Sequence, residues 1–274
     1  MLLVAELSYM RVVWFSDGMP WKVLVVGLTF AAIVWGVRAA TPWAAAVGAL
    51  LCFAVMLGNM HFDRSLLRSG LSPLITLFGL TWSATRMGRT RKDAQGLGEP
   101  RTGRRAAQVV ANLGMAGLIS VGTLNFLLDR TGPQRGLIAF SGYAIPLLVL
   151  ATLVEATADT VSSEIGQAFG GTPWLLTTLR RVPRGTDGAV TLVGTLAGVG
   201  AGAMVAGVGW WALMLHPSQA GVAFVAGTAG LFFDSLLGAT VERRGWLGND
   251  LVNFLSTAFA AGVALVLLLL LGSS

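Results

Sequence analysis

Long apolar runs divide the chain, near residues 22–37, 43–60, 66–83, 106–127, 137–157, 189–215, 219–240 and 251–272. A helix needs roughly 17–25 such residues to cross the hydrocarbon of a bilayer. In lipid, the backbone must satisfy its own polar groups, which leaves helices or closed barrels. Arg68 and Pro73 interrupt the third run, making it the weakest. The expectation is an all-α, polytopic integral membrane protein with seven or eight transmembrane helices. Composition agrees, since 54% of residues are hydrophobic and 12% charged, unlike a soluble domain. The opening "MLLVAELSYMRVVWF" lacks a basic n-region and carries Glu6, so it does not read as a cleavable signal and the whole chain is taken as mature. The lone Cys52 lies within an apolar run and reads as a small packing residue.

Three polar stretches separate the runs: an arginine-rich one at 84–105, one at 158–188, and "VERRGWLGND" at 241–250. Placed on the cytoplasmic side by the positive-inside rule, they leave the connections at 128–136 and 216–218 outside. Eight spans then put both termini outside. The net charge of +6 suits anionic lipid headgroups or phosphorylated substrates, with no nucleic acid partner expected. Arginine far outnumbers lysine, as GC-rich genomes favour, and a bacterial inner membrane is the expected location. Gly198 and Gly202, in the glycine-rich sixth run, have small-xxx-small spacing and are expected to pack helices closely. His61 and His216 sit at span ends as interfacial residues.

Carboxylates at membrane depth are costly and mark candidate sites. In "EATADTVSSEIG", Glu155 and Asp159 are four apart on one helix face, whereas Glu164 needs a turn or helix break to join them. Asp159-Thr160 at the end of the fifth run is echoed by Asp234-Ser235 at the end of the seventh. Two such helix ends can frame one site. Carboxylates and hydroxyls without His or Cys favour a hard cation such as Mg²⁺. "LRRVPRGTDGAVT" offers Arg180, Arg181 and Arg184, with Gly185, Thr186 and Gly188 in a turn ahead of a helix, the ingredients of a phosphate cradle or of a plain basic loop. Gln108 with Asn112, and Asn249 with Asn253, are amide pairs at helical spacing, expected to face partners or a ligand.

As an ordered set, "RAAQVVAN", "ADTVSSEIG", "RRVPRGTDGAVTLVGT", "DSLLGATVE" and "NDLVNFLST" resemble the transmembrane protein 19 family, also called domain of unknown function 92. The resemblance covers 38–274 as a single membrane domain, leaving 1–37 as an N-terminal extra membrane segment. It implies that Asp159, Glu164, Arg181, Gly185, Thr186, Gly188, Asp234, Asn249 and Asn253 occupy recurring polar positions. The family includes the plant phytyl-phosphate kinase of the tocopherol pathway, which implies conversion of an isoprenyl monophosphate to its diphosphate. Two departures stand out: "TWSATRMG" keeps Thr85 and Arg86 but has Trp82 where Ser is common, and Glu242 replaces a usual Gln.

The expected enzyme is a Mg-dependent phosphotransferase. Asp159, Asp234 and Glu164 would hold Mg²⁺, with Asp159, Asp234 and Arg181 in the catalytic role. Arg180, Arg181, Gly185, Thr186 and Gly188 would hold the donor phosphates, and Gln108, Asn112, Asn249 and Asn253 the acceptor. An Asp-Thr pair followed by a basic Gly-Thr loop is similar to the plan of dolichol and phytol kinases and cytidylyltransferases, which makes CTP the expected donor, then ATP. The rival expectation is a secondary transporter or lipid flippase using intramembrane acids.

Overall fold

A computed structural model describes residues 19–59, 65–98, 102–122 and 134–272. The helices are α1 (Met19–Gly36), α2 (Pro42–Gly58), α3 (Leu71–Arg86), the short α4 (Arg89–Ala94), α5 (Ala106–Ser120), α6 (Gln134–Phe169), α7 (Leu192–Ala212), α8 (Pro217–Leu237) and α9 (Asn249–Gly272). A π-helical segment, Gly238–Glu242, continues α8. Strands β1 (Trp174–Leu175) and β2 (Ala189–Val190) pair antiparallel, Trp174 opposite Val190. Among the described residues, four helical stretches are long and apolar enough to cross a membrane: Ala144–Phe169, Leu192–Ala212, Pro217–Glu242 and Asn249–Leu271. Trp21–Gly36, Pro42–Gly58 and Ala106–Ser120 are shorter apolar helices.

Burial is arranged as lipid requires. Trp35, Leu196, Met204, Val225 and Leu270 are exposed on the outside of the bundle, while Thr152, Glu155, Thr157, Ser256 and Thr257 are buried inside it. Polar side chains in a membrane bundle face the interior because hydrocarbon offers them no partner. Helix ends are closed locally. Thr41 and Thr191 accept hydrogen bonds from Ala44 N and Gly194 N, and His216 caps α8 in a capping box with Gln219. His216 is thus a cap at a helix end, and His61 lies outside the described residues.

The 36-residue α6 is the axle, about 54 Å long at 1.5 Å per residue. It packs against α3, α5, α7, α8 and α9, with Leu147, Leu150, Leu153 and Val154 fully buried. The polar stretch expected to begin at 158 does not end the helix: α6 runs through the whole acidic motif to Phe169. Glycine explains how. A Cβ at Gly194 or Gly198 of α7 would strike the Ser162 or Ala158 carbonyl of α6, and one at Gly202 would lie 3.2 Å from Val154 Cγ1. With backbones this close, dispersion along the glycine stripe holds the polar end of α6 in place. The small-xxx-small spacing therefore serves packing, as expected.

Candidate functional site

The third turn from the end of α6 and the last turn of α8 bring Asp159 and Asp234 to one polar cavity. The echo between the two Asp-hydroxyl pairs is a spatial one, and Ser235 and Ser162 line the same cavity. The charges of Asp159 and Asp234 act on each other. Ser256 of α9 lies 3.1 Å from Asp234 Oδ2 and 2.9 Å from the Val252 carbonyl, so its one hydroxyl hydrogen serves either acceptor. Asn249, the first residue of α9, lines the cavity too.

The basic loop forms the opposite wall. Leu175 N donates to Arg180 O (3.0 Å), and Val182 N donates to Pro173 O (3.0 Å). This pairing fixes 180–182 as a strand-like edge, and the side chains of Arg180 and Arg181 stay exposed, away from the cavity. The chain then turns at Gly185 (φ 80°) and again at Gly188 (φ 69°), both left-handed conformations that a Cβ disfavours. Gly185, Thr186 and Gly188 therefore line the cavity, and the arginine beside them is Arg184. Arg184 Nε donates to Gly171 O (2.8 Å) and Nη1 to Gln167 O (3.3 Å). The second bond supplies a cation and donor to the C-terminal end of α6. Gly188 is seated on α8: a Cβ there would collide with Ala239 N and Ser235 O, and a Cβ on Gly238 would lie 2.6 Å from Gly188 N. The loop is held against the π-helical segment, a helix irregularity often found at functional sites.

Two lining carboxylates escaped the site expectation, Asp187 and Glu242. Asp187 neighbours the glycines in sequence. Glu242 had been legible only as a departure from Gln, and its place on the wall makes that departure an added charge. Four carboxylates, Asp159, Asp187, Asp234 and Glu242, thus line the cavity with one guanidinium, Arg184. Among the described residues, no three acidic, His or Cys side chains already converge on a common metal point.

Glu164 goes elsewhere. The break it would need to join Asp159 is absent, since α6 is continuous, and Glu164 lies on a face turned toward α3 and α4. Thr85 Oγ1 donates to its Oε1 at 3.0 Å, and Lys92 Nζ ion-pairs with its Oε2. Lys92 is buried, and its ammonium also donates to the carbonyls of Thr85 (2.9 Å) and Ala84 (3.3 Å). A buried carboxylate already satisfied by an ammonium and a hydroxyl is a structural tie, so Glu164 is not brought to the Asp159–Asp234 cavity. Lys92 is one of two lysines in the chain, and its solitude among the arginines of 84–105 was the available signal.

The amide pairs also divide. Gln108 Oε1 accepts from Arg105 N at 2.8 Å and so closes the start of α5. Asn253 Nδ2 donates to Asn112 Oδ1 at 3.3 Å, tying α9 to α5. Asn112 lines a second, apolar cavity, and neither Gln108 nor Asn253 lines the polar one. Glu155, one turn below Asp159, is buried, and its Oε1 has no hydrogen-bond partner among the described residues.

The family description "Integral membrane protein DUF92" matches residues 25–261. The chain is 34% identical to Protein VTE6, chloroplastic, of Arabidopsis thaliana, across 84% of this chain and 74% of that protein. It is 32% identical to an uncharacterized membrane protein of Synechocystis, across 72% of each. An uncharacterized membrane protein of Methanocaldococcus jannaschii is 36% identical, across 67% of this chain and 70% of that protein. No solved structure matches.

Proposed function

Because the chain belongs to the DUF92 family of integral membrane proteins, we propose that it is a membrane-embedded phosphotransferase. It converts an isoprenyl monophosphate of phytyl or geranylgeranyl type to the diphosphate, with a nucleoside triphosphate as donor. The observation that carries this reading is the polar cavity where Asp159 and Asp234 face the Arg184–Gly188 loop.

Four carboxylates against one guanidinium repel a polyphosphate, so the donor must enter with cations. Carboxylate, hydroxyl and amide oxygens, with no thiolate or imidazole lining the cavity among the described residues, fit Mg²⁺. Mg²⁺ is commonly held by one or two carboxylates, its other positions taken by phosphate and water. Asp159 and Asp234 would hold it, and Glu164 is left out because Lys92 and Thr85 already engage it. Bound there, Mg²⁺ would neutralise charge developing on the phosphoryl oxygens. Phosphoryl transfer is mainly positioning and needs no covalent nucleophile. Ser256 orients Asp234, and at Gly185 and Gly188 the backbone offers its N–H groups to phosphate with no Cβ in the way. Arg184 adds a fixed positive charge. CTP is the preferred donor and ATP the next. The cavity faces the cytoplasm of a bacterial inner membrane, and α1, α2, α3, α5, α6, α7, α8 and α9 make eight spans.

The test is incubation of purified protein with Mg²⁺, each of the four ribonucleoside triphosphates and geranylgeranyl monophosphate, with diphosphate as the product sought. Diphosphate from one donor, abolished by chelation, is the expected result. No product with any donor, together with vesicle cation or lipid flux that Asp159→Asn abolishes, would instead make the protein a transporter.

A further inference from the structure

A second cavity, which meets α6 at Ala156, is walled by α1, α2, α3 and α5. Its body is apolar, formed by residues such as Phe30, Val34, Ala44, Leu77 and Phe78. Its lining also holds four guanidinium side chains, Arg38, Arg86, Arg89 and Arg104. Backbone pairing sets Arg104 beside the segment that follows Arg38: Arg104 N donates to Ala39 O (2.9 Å) and Thr41 N to Arg104 O (3.0 Å). Gly103 (φ 80°) permits this clamp, since a Cβ there would lie 2.5 Å from Ala40 N. Arg86 is held by a hydrogen bond to Val37 O (2.9 Å) and lies 4.6 Å from the centre of the Trp82 ring. Trp82 lines the cavity, and its buried indole Nε1 has no hydrogen-bond partner among the described residues. A buried N–H without an acceptor is destabilising, a cost that a bound anion would relieve.

Positive-inside topology accounts for arginines in loops but not for four of them around an apolar cavity with an orphan donor. We propose that this cavity seats a lipid with a single apolar chain and a phosphate head, the chain against α1 and α2 and the head among Arg38, Arg86 and Arg104. Resting on the phosphotransferase reading, the site assigns that lipid as the isoprenyl monophosphate acceptor. The two cavities share one wall. Ala156 lines the apolar cavity, and Asp159, three residues on along α6, lines the polar one. Arg104 is close enough to Asp159 for their charges to interact. The lipid head is thereby held beside the turn that carries the proposed metal ligand. Trp82, where the family resemblance marked a departure, and Arg86, which the family pattern keeps, together make this chain's own version of the head site.

The test is direct binding of tritiated geranylgeranyl monophosphate to the full chain in nanodiscs. Ala44→Phe fills the apolar body, and Arg86→Gln removes one charge at a side chain exposed enough to leave folding intact. Each is expected to weaken binding about tenfold or more, the scale of a lost charged hydrogen bond or blocked seat, while Asp159→Asn binds normally. Geranylgeraniol and inorganic phosphate, each carrying half of the recognition, should compete weakly. Unchanged binding by Arg86→Gln, or equal competition by phosphatidylglycerol or by nucleotide, would overturn the assignment. Binding that depends on these residues without diphosphate formation from any donor keeps this site and retires the kinase. Turnover whose KM for the lipid is unmoved by Arg86→Gln does the reverse.

Discussion

Asp159 and Glu164 are five residues apart on one helix, and they meet different surroundings. Asp159 opens onto the polar cavity; Glu164 is tied to Lys92 and Thr85. Asp159→Asn and Asp234→Asn should each lower kcat by about 10²–10³, the scale of losing one preorganised charge at a transferring group, with thermal stability retained. For Asp234→Asn the Mg²⁺ concentration giving half-maximal rate should also rise. Lys92→Met should instead destabilise the fold by about 3–5 kcal/mol, because it leaves a buried carboxylate without its cation. Thermal unfolding of the purified variant measures this. Adding Glu164→Gln to Lys92→Met should recover much of the loss, and the Mg²⁺ dependence of the rate in that double variant should match the unmodified chain. A shifted Mg²⁺ dependence would return Glu164 to the metal.

At the scale of elements, the site depends on backbone proximity that only glycine allows. Gly188 joins the 184–188 loop to the π-helical end of α8 with no room for a Cβ. Gly188→Ala should lower activity by about 100-fold through displacement of the loop, since an ångström of misplacement can cost that much. Lipid monophosphate binding in the other cavity should be unaffected. Gly198→Leu acts on a different contact, forcing α7 away from Ala158 and Ser162 of α6. Overpacking of this kind costs about 1–3 kcal/mol, and a lowered unfolding midpoint would register it. The helices themselves were legible as apolar runs, because a lipid-crossing helix must be apolar along its length. Their ends were less so: α6 extends to Phe169, and the glycine contacts that steady its polar turns come from α7, far along the chain.

For the molecule as a whole, helix order and loop charge imply an orientation that labelling can check. With Cys52→Ala as background, Thr178→Cys in the exposed loop after β1 should react with an impermeant maleimide in inverted inner-membrane vesicles. Ser218→Cys, beside the α8 cap, should react in spheroplasts. The reverse pattern would put the polar cavity on the outer face. By itself the sequence determined the membrane class and the candidate acids, because apolar length and charge in lipid are properties of a segment and its residue types. The link between Asp159 and Asp234 was legible too, as a repeated Asp-hydroxyl pair at two helix ends. Only the tertiary structure decided which basic residue meets those acids. Arg180, Arg181 and Arg184 are equivalent in charge, and the β1 pairing that turns Arg184 inward involves residues 173–175. It likewise decided that Glu164 belongs to Lys92 and that the arginines near residues 38, 86 and 104 surround one apolar cavity. Such partnerships are made across sequence distance by packing, and no local pattern of residues records them.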